Sequence, residues 1–308
     1  MDKREYFKYY ILDVLSRKNK MVDKMLRPMF RVENEELANE YIHNALLDDI
    51  PFSMIRPGFV EIDDFCYYDE VKYWPPDGLR KRTKRLRSTF ESDSDYELYE
   101  ESLRANLSDV DAICVYRTFR YKYFCEKYLE KKPIFDAGVL CPIKYAKPWT
   151  KALEGKKVLI VSVFSELIEK QYSIIHKVFP EGNPWPNIEL TTVQSVWYGS
   201  YELRDRRFNS YFDALKYLYE ECMKRDFEVA LLCCSKLGID LAPMLKRAGK
   251  KAIQMGGDMQ IMFGIRGKRW DNNRVLMKYY NDYWVRPDVK ETGANSVIVE
   301  RADDGCYW

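Results

Sequence analysis

A few short stretches carry residues whose types and spacing suit chemistry on a phosphorylated substrate. Arg56-Pro57-Gly58-Phe59-Val60-Glu61 follows the apolar run FSMI, and its glycine permits a sharp turn. Such a turn presents an arginine and a carboxylate together at the carboxyl end of a strand. The arginine fork binds two oxygens of a diphosphate, and a glutamate beside it suits a base or a metal ligand. The same pair would also serve as a brace for the turn. Ser235-Lys236-Leu237-Gly238 stands between an apolar run and a helical pattern, where free N–H groups and a lysine both favour a phosphate. Gly256-Gly257 lets a ligand come close to the backbone. The loop FGIRGKRW (263–270) follows it with Arg266, Lys268, Arg269 and Trp270, and Gln260 lies between. Three cations beside an indole suit a phosphorylated or sugar ligand; a solvated basic loop is the alternative. Ser165-Glu166 opens a further helix, where Ser165 would meet a phosphate or act as a plain cap, and Glu166 would repel an anion.

Several chemistries are disfavoured by what the chain lacks. It has no complete G-x-x-x-x-G-K-[ST] loop and no G-x-G-x-x-G fingerprint, which argues against an ordinary NAD or FAD site. Two histidines, His43 and His176, are too few for a histidine-rich zinc site or a histidine-based triad. Eight cysteines form no C-x-x-C pair and mostly sit in apolar runs, as expected of a reduced, cytoplasmic compartment. With 50 lysines and arginines against 48 acids, net charge does not point to a polyanion. The basic run RKRTKRLR (80–87) reads as a surface patch, and no nucleic-acid partner is expected. No stretch approaches the ~18–20 apolar residues of a membrane span. The basic, aromatic N-terminus would touch an anionic membrane surface peripherally or, more simply, pack on the domain.

These residues need elements to position them. The pattern predicts helices over 1–30 (ending near Pro28), 33–48, 92–106, 121–129, 147–155, 165–179 and 208–224. It predicts strands beginning at Phe52 and over 111–117, 132–138, 156–164 and 188–195. Residues 227–264 then read as strand, turn, helix and strand, the crossover unit of a parallel sheet. Alternating strands and amphipathic helices in 308 residues predict an α/β chain with a mostly parallel, Rossmann-like sheet flanked by helices. The expected division is a helical N-terminal extension (1–50), a catalytic domain (51–270) and an irregular tail (271–308) packing on it. The aromatic end of that tail would also suit a homo-oligomer contact.

At these residues the chain resembles GT-D type glycosyltransferases. The resemblance rests on Arg56-x-Gly58-x-x-Glu61, on KKVLIVSVFSELIEKQY, and on the G-x-x-L-A…K-x-x-G-K-K-A-I-x-x-G-G unit. It is closer to a bacterial branch associated with surface-polysaccharide genes, which shares GGxxQxxFGIxGKRW, NxYWVRP and a terminal CYW. Here these read GGDMQIMFGIRGKRW (256–270), NDYWVRP (281–287) and Cys306-Tyr307-Trp308. The similarity spans roughly residues 50–308. It implies a Rossmann-like enzyme that moves a sugar from a nucleoside diphosphate sugar, UDP-sugars being favoured, to a glycan or lipid-linked acceptor. Glu61 and Arg56 would be catalytic. Gly58, Ser165, Ser235, Lys236, Gly238, Gly256, Gly257, Gln260, Arg266, Lys268, Arg269 and Trp270 would line the donor site, Trp270 stacking on base or sugar. The family's first-strand motif, R-F-G-D-G-E, is associated with a divalent metal through Asp-x-Glu. This chain keeps Arg56, Gly58 and Glu61 but has Phe59 at the aspartate position. Mn²⁺ or Mg²⁺ would then rest on Glu61 with Asp63 or Asp64, or the cations of 266–269 would neutralise the diphosphate without metal. Asp258 replaces a small residue and Ser235-Lys236-Leu237 replaces G-A-Y, and neither change has a physical explanation in the sequence. A nucleotide-sugar-binding protein without turnover is the alternative function.

Overall fold

Seven short segments become strands of one sheet in the computed structural model. They are β1 (Phe52–Ile55), β2 (Ala112–Val115), β3 (Ile134–Asp136), β4 (Lys157–Ser162), β5 (Glu189–Gln194), β6 (Val229–Cys233) and β7 (Lys251–Gln254). The structure describes residues 3–26, 32–59, 61–62, 93–116, 119–129, 131–198, 204–292, 294, 296–301 and 305–308. The strand order is β3-β2-β1-β7-β6-β4-β5, with every pairing between these strands parallel. The expected Rossmann-like α/β architecture is therefore present. Asp63, Asp64, Cys66, the aromatic stretch from Tyr67 to Trp74 and the basic run 80–87 lie outside the described residues.

Parallel strands covered on both faces read as unbroken apolar runs, and β6 (VALLC) and β2 (AICV) do so. Side chains alternate between the two faces and build two cores. Ile55, Ile113, Val161, Leu232 and Ala252 pack one face with the helices Asp93–Leu107, Phe119–Tyr128, Tyr211–Met223 and Leu237–Arg247. Met54, Cys114, Ile160, Leu231 and Ile253 pack the other with Glu35–Leu47, Ser165–Ser173 and Asp258–Met262. The chain thus leaves β1 on one face and β7 on the other, which parts the backbone at their adjacent carboxyl ends. Ligands of such sheets gather where connections diverge in this way.

Several local expectations need correction. The N-terminal helix is two, Lys3–Lys18 and Lys20–Leu26, divided at Asn19, whose side chain accepts from the Met21 and Val22 amides. Tyr6 and Tyr9 pack it onto the sheet's own core with Tyr123. In Glu35–Leu47 the buried face is Ala38, Ile42 and Leu46, and Leu37 is exposed. The 165–179 helix breaks at Ile174 into Ser165–Ser173 and Ile175–Val178. The tail is helical in part. Leu276 and Trp284 join Trp270, Val178 and Phe179 in a third cluster, and Ser296–Arg301 is helical.

One buried carboxyl in this scaffold titrates unusually. Asp240, fully buried in the Leu237–Arg247 helix, accepts from the Tyr211 hydroxyl at 2.7 Å and from the Asn106 amide. Burial pushes its pKa up to about 6 despite those bonds. The folded chain holds this proton more tightly than the unfolded chain. The contribution to stability is therefore full below the ordinary carboxylate pKa and is lost as pH rises through about 6. Urea unfolding between pH 4 and 7 should show wild type losing up to about 3 kcal/mol relative to Asp240→Asn. A constant difference across that range would contradict the assignment.

Candidate functional site

Gln254, the last residue of β7 and almost wholly buried, ties the loops after β1 and β6 together. Its Oε1 accepts from the Arg56 amide at 2.8 Å, and its Nε2 donates to the Ser235 carbonyl at 3.0 Å. Gly238 is small because Gln254 lies against it: a Cβ there would be 3.0 Å from Gln254 Cγ. Ser235 itself takes φ 51°, a left-handed conformation unusual for a residue with a Cβ. Sequence reasoning missed Gln254, whose only signal was a polar residue at the end of an apolar strand run.

The clamp sets Arg56 beside the glycine pair after β7. A Cβ on Gly256, which has φ +60°, would lie 2.8 Å from Arg56 Cζ and Nη1. A Cβ on Gly257 would lie 2.7 Å from Arg269 Nη1 and 3.4 Å from the Trp270 ring. Two guanidinium groups from distant parts of the chain therefore meet consecutive glycines, each lying where a Cβ would otherwise stand. Arg56 also donates to the Tyr116 hydroxyl, and its Cζ is 5.1 Å from that ring's centre. Its Nε–H is buried without an acceptor among the described residues. Arg269 lies 4.4 Å from the Tyr307 ring centre and 5.3 Å from that of Trp270, with Nη2 2.6 Å from Cys306 Sγ.

Two carboxyls share this field. Glu61 is 9% exposed and turns back on its own loop, so that a Cβ on Gly58 would meet Oε2 at 2.5 Å. Burial pushes the Asp258 carboxyl up, against the pull of Arg56, Arg269 and Lys144. The described residues contain no group of three or more His, Cys, Asp or Glu side chains placed to hold a metal ion. Phe59 offers no donor, and Glu61 lies within the field of Arg56. Asp63 and Asp64, the other donors expected for Mn²⁺ or Mg²⁺, lie outside the described residues.

The structure thus brings Arg56, Gly58, Glu61, Gly256, Gly257 and Arg269 together, with the Trp270 ring edge against Gly257 and with Ser235 and Gly238 against Gln254. Lys236 is 1% exposed, its ammonium 5.7 Å from the Tyr99 ring centre in the core. Ser165 is buried with its hydroxyl on Gln194 Oε1, and the adjoining Phe164 and Trp197 pack against Trp308. Gln260 donates to the Tyr307 carbonyl at 3.2 Å. Arg266 pairs with Asp271 at 3.6 Å and covers the Tyr280 ring. Lys268 is exposed, and its amide donates to the Trp308 carbonyl at 3.1 Å. Trp270, 7% exposed, packs in the third cluster and so cannot offer a face to a ligand without moving. The cationic loop is therefore divided: Arg269 faces the glycine pair, while Arg266 and the 268 amide anchor the tail.

No protein-family model, curated protein or solved structure matches the chain.

Gln254→Leu keeps the volume of the side chain but orphans the Arg56 amide and the Ser235 carbonyl. Each lost partner should cost about 1–3 kcal/mol of stability in denaturant titrations. Stability within 0.5 kcal/mol of wild type, roughly the scatter of a neutral surface change, would show that the clamp does not hold the rim.

Proposed function

We propose that the chain is a glycosyltransferase moving a sugar from a nucleoside diphosphate sugar to a glycan or lipid-linked acceptor hydroxyl. The observation that carries this reading is the meeting of Arg56 and Arg269 over Gly256-Gly257 at the carboxyl end of a parallel sheet. Two guanidinium forks beside a glycine pair suit the paired oxygens of a diphosphate. The resemblance of Arg56-x-Gly58-x-x-Glu61 and GGDMQIMFGIRGKRW to GT-D enzymes supports the same reading.

In the proposed reaction the acceptor oxygen forms a bond to the anomeric carbon, and the bond from that carbon to the β-phosphate oxygen breaks. The electron pair leaves on the diphosphate. Arg56 and Arg269 stabilise the charge that develops there, an interaction worth more in a partly dehydrated rim than in water. Glu61 takes the acceptor proton, and Arg56 holds that carboxylate in its field. In this proposal the guanidiniums, rather than a divalent ion, supply the positive charge.

A radiolabelled panel of nucleoside diphosphate sugars tests the reading. Arg269→Ala should lower kcat/KM by about 100-fold or more, as loss of a charge-stabilising donor does. Glu61→Gln should lower kcat by about 100-fold or more with donor KM little changed. Turnover should persist in EDTA. Full activity in Glu61→Gln would remove the base assignment. Donor binding with neither transfer nor hydrolysis would favour the reading in which the chain binds nucleotide sugars without turnover.

A further inference from the structure

An aromatic pair beside the two guanidiniums has no role in the account so far. Phe59 stands four residues beyond the end of β1 and is 49% exposed, in contrast to the buried Trp270. Its ring stacks on Tyr116 at 5.0 Å with 13° between the planes. Tyr121 stands nearly perpendicular to both, 5.8 Å from Phe59 and 5.9 Å from Tyr116. A ring equidistant from two stacked partners must sit beside the stack. Tyr121 therefore braces the edges, with its hydroxyl donating to the Pro57 carbonyl at 2.7 Å, and neither tyrosine covers the outer face of the half-exposed Phe59. The other member of the stack, Tyr116, accepts from Arg56.

We propose that Phe59 is the stacking platform for the base of a nucleoside diphosphate whose phosphates reach Arg56 and Arg269. This inference rests on the nucleotide-sugar reading above and adds the residue that receives the base. A phenylalanine carries no charge and no hydrogen-bonding atom, so what it offers a ligand is a flat apolar face. A base stacks on such a face irrespective of its hydrogen-bonding edge. The ring is pre-oriented by Tyr116 and Tyr121, so stacking need not order a free side chain. Tyr116 touches both, its ring centre 5.0 Å from that of Phe59 and 5.1 Å from Arg56 Cζ, so ring and guanidinium are no farther apart than the sum of the two, within the span of a ribose and its phosphates.

The test is calorimetry of wild type, Phe59→Ala and Phe59→Trp with UDP, CDP, ADP, GDP and inorganic pyrophosphate, with unfolding midpoints as a check on folding. Wild type should bind at least one of the nucleoside diphosphates more tightly than pyrophosphate. Phe59→Ala should weaken that nucleotide by about ten-fold or more, Phe59→Trp should retain it, and pyrophosphate affinity should be equal in all three proteins. Unchanged nucleotide affinity in Phe59→Ala would overturn the platform while leaving the nucleotide-sugar reading intact. Equal loss of nucleotide and pyrophosphate in Phe59→Ala would also overturn it, since Phe59 would then act by supporting Arg56. Wild type binding pyrophosphate as tightly as every nucleotide would overturn it too, and wild type binding none of the five would overturn both readings.

Discussion

The rim of this sheet depends on a side-chain amide at the end of a central strand. Gln254 has β1 on one side and β6 on the other, and its two polar atoms bond the loop that follows each. Parallel strands place all their carboxyl ends at one edge, but nothing in the ladder holds the outgoing loops in register beyond the last pairing. A buried amide with one donor and one acceptor satisfied does so. Its presence requires Gly238 opposite, and its bond to Ser235 accompanies a left-handed backbone at a residue that is not glycine. The arginine at 56, the glycines at 256 and 257 and the turn at 235 are consequences of one packing solution.

Charge is what that solution then concentrates. Arg56 and Arg269 are brought together from sequence positions more than two hundred residues apart, and the carboxyls of Glu61 and Asp258 lie in the same field. A half-buried rim with two guanidiniums and a carboxyl pushed toward its neutral form is biased toward accepting an anion. Arg269 is held between Trp270 and Tyr307, so the third core cluster and the Cys306–Trp308 segment fix its position. The packing of the tail is therefore part of the site's construction. No helix among the described residues is long and apolar enough to cross a membrane.

The strands were legible because burial on both faces leaves an apolar run that periodicity detects, as in VALLC and KVLIVS. The glycine pair and Arg56 were legible because each has a local meaning, a close approach or a charge at a strand end. What a single side chain does across the sheet was not. Lys236 reads as a phosphate ligand from its turn, yet it lies under Tyr99 because the helix Asp93–Leu107 packs there. Trp270 and Arg266 read as ligand residues from their loop, and tertiary packing with the tail claims both. For Lys236 and Trp270 the deciding partners, Tyr99 and the Val178–Phe179 pair, are far away in sequence, so no local pattern contains them.

The account's central claim is that the crossing of Arg56 and Arg269 over Gly256-Gly257 is an anion-binding rim. A crystal structure of the chain soaked with UDP tests this most directly. A diphosphate is expected within hydrogen-bonding distance of both guanidiniums, one oxygen accepting from Arg56 Nε, which has no acceptor among the described residues. A diphosphate ordered elsewhere on the molecule, with that nitrogen still unpartnered, would contradict it.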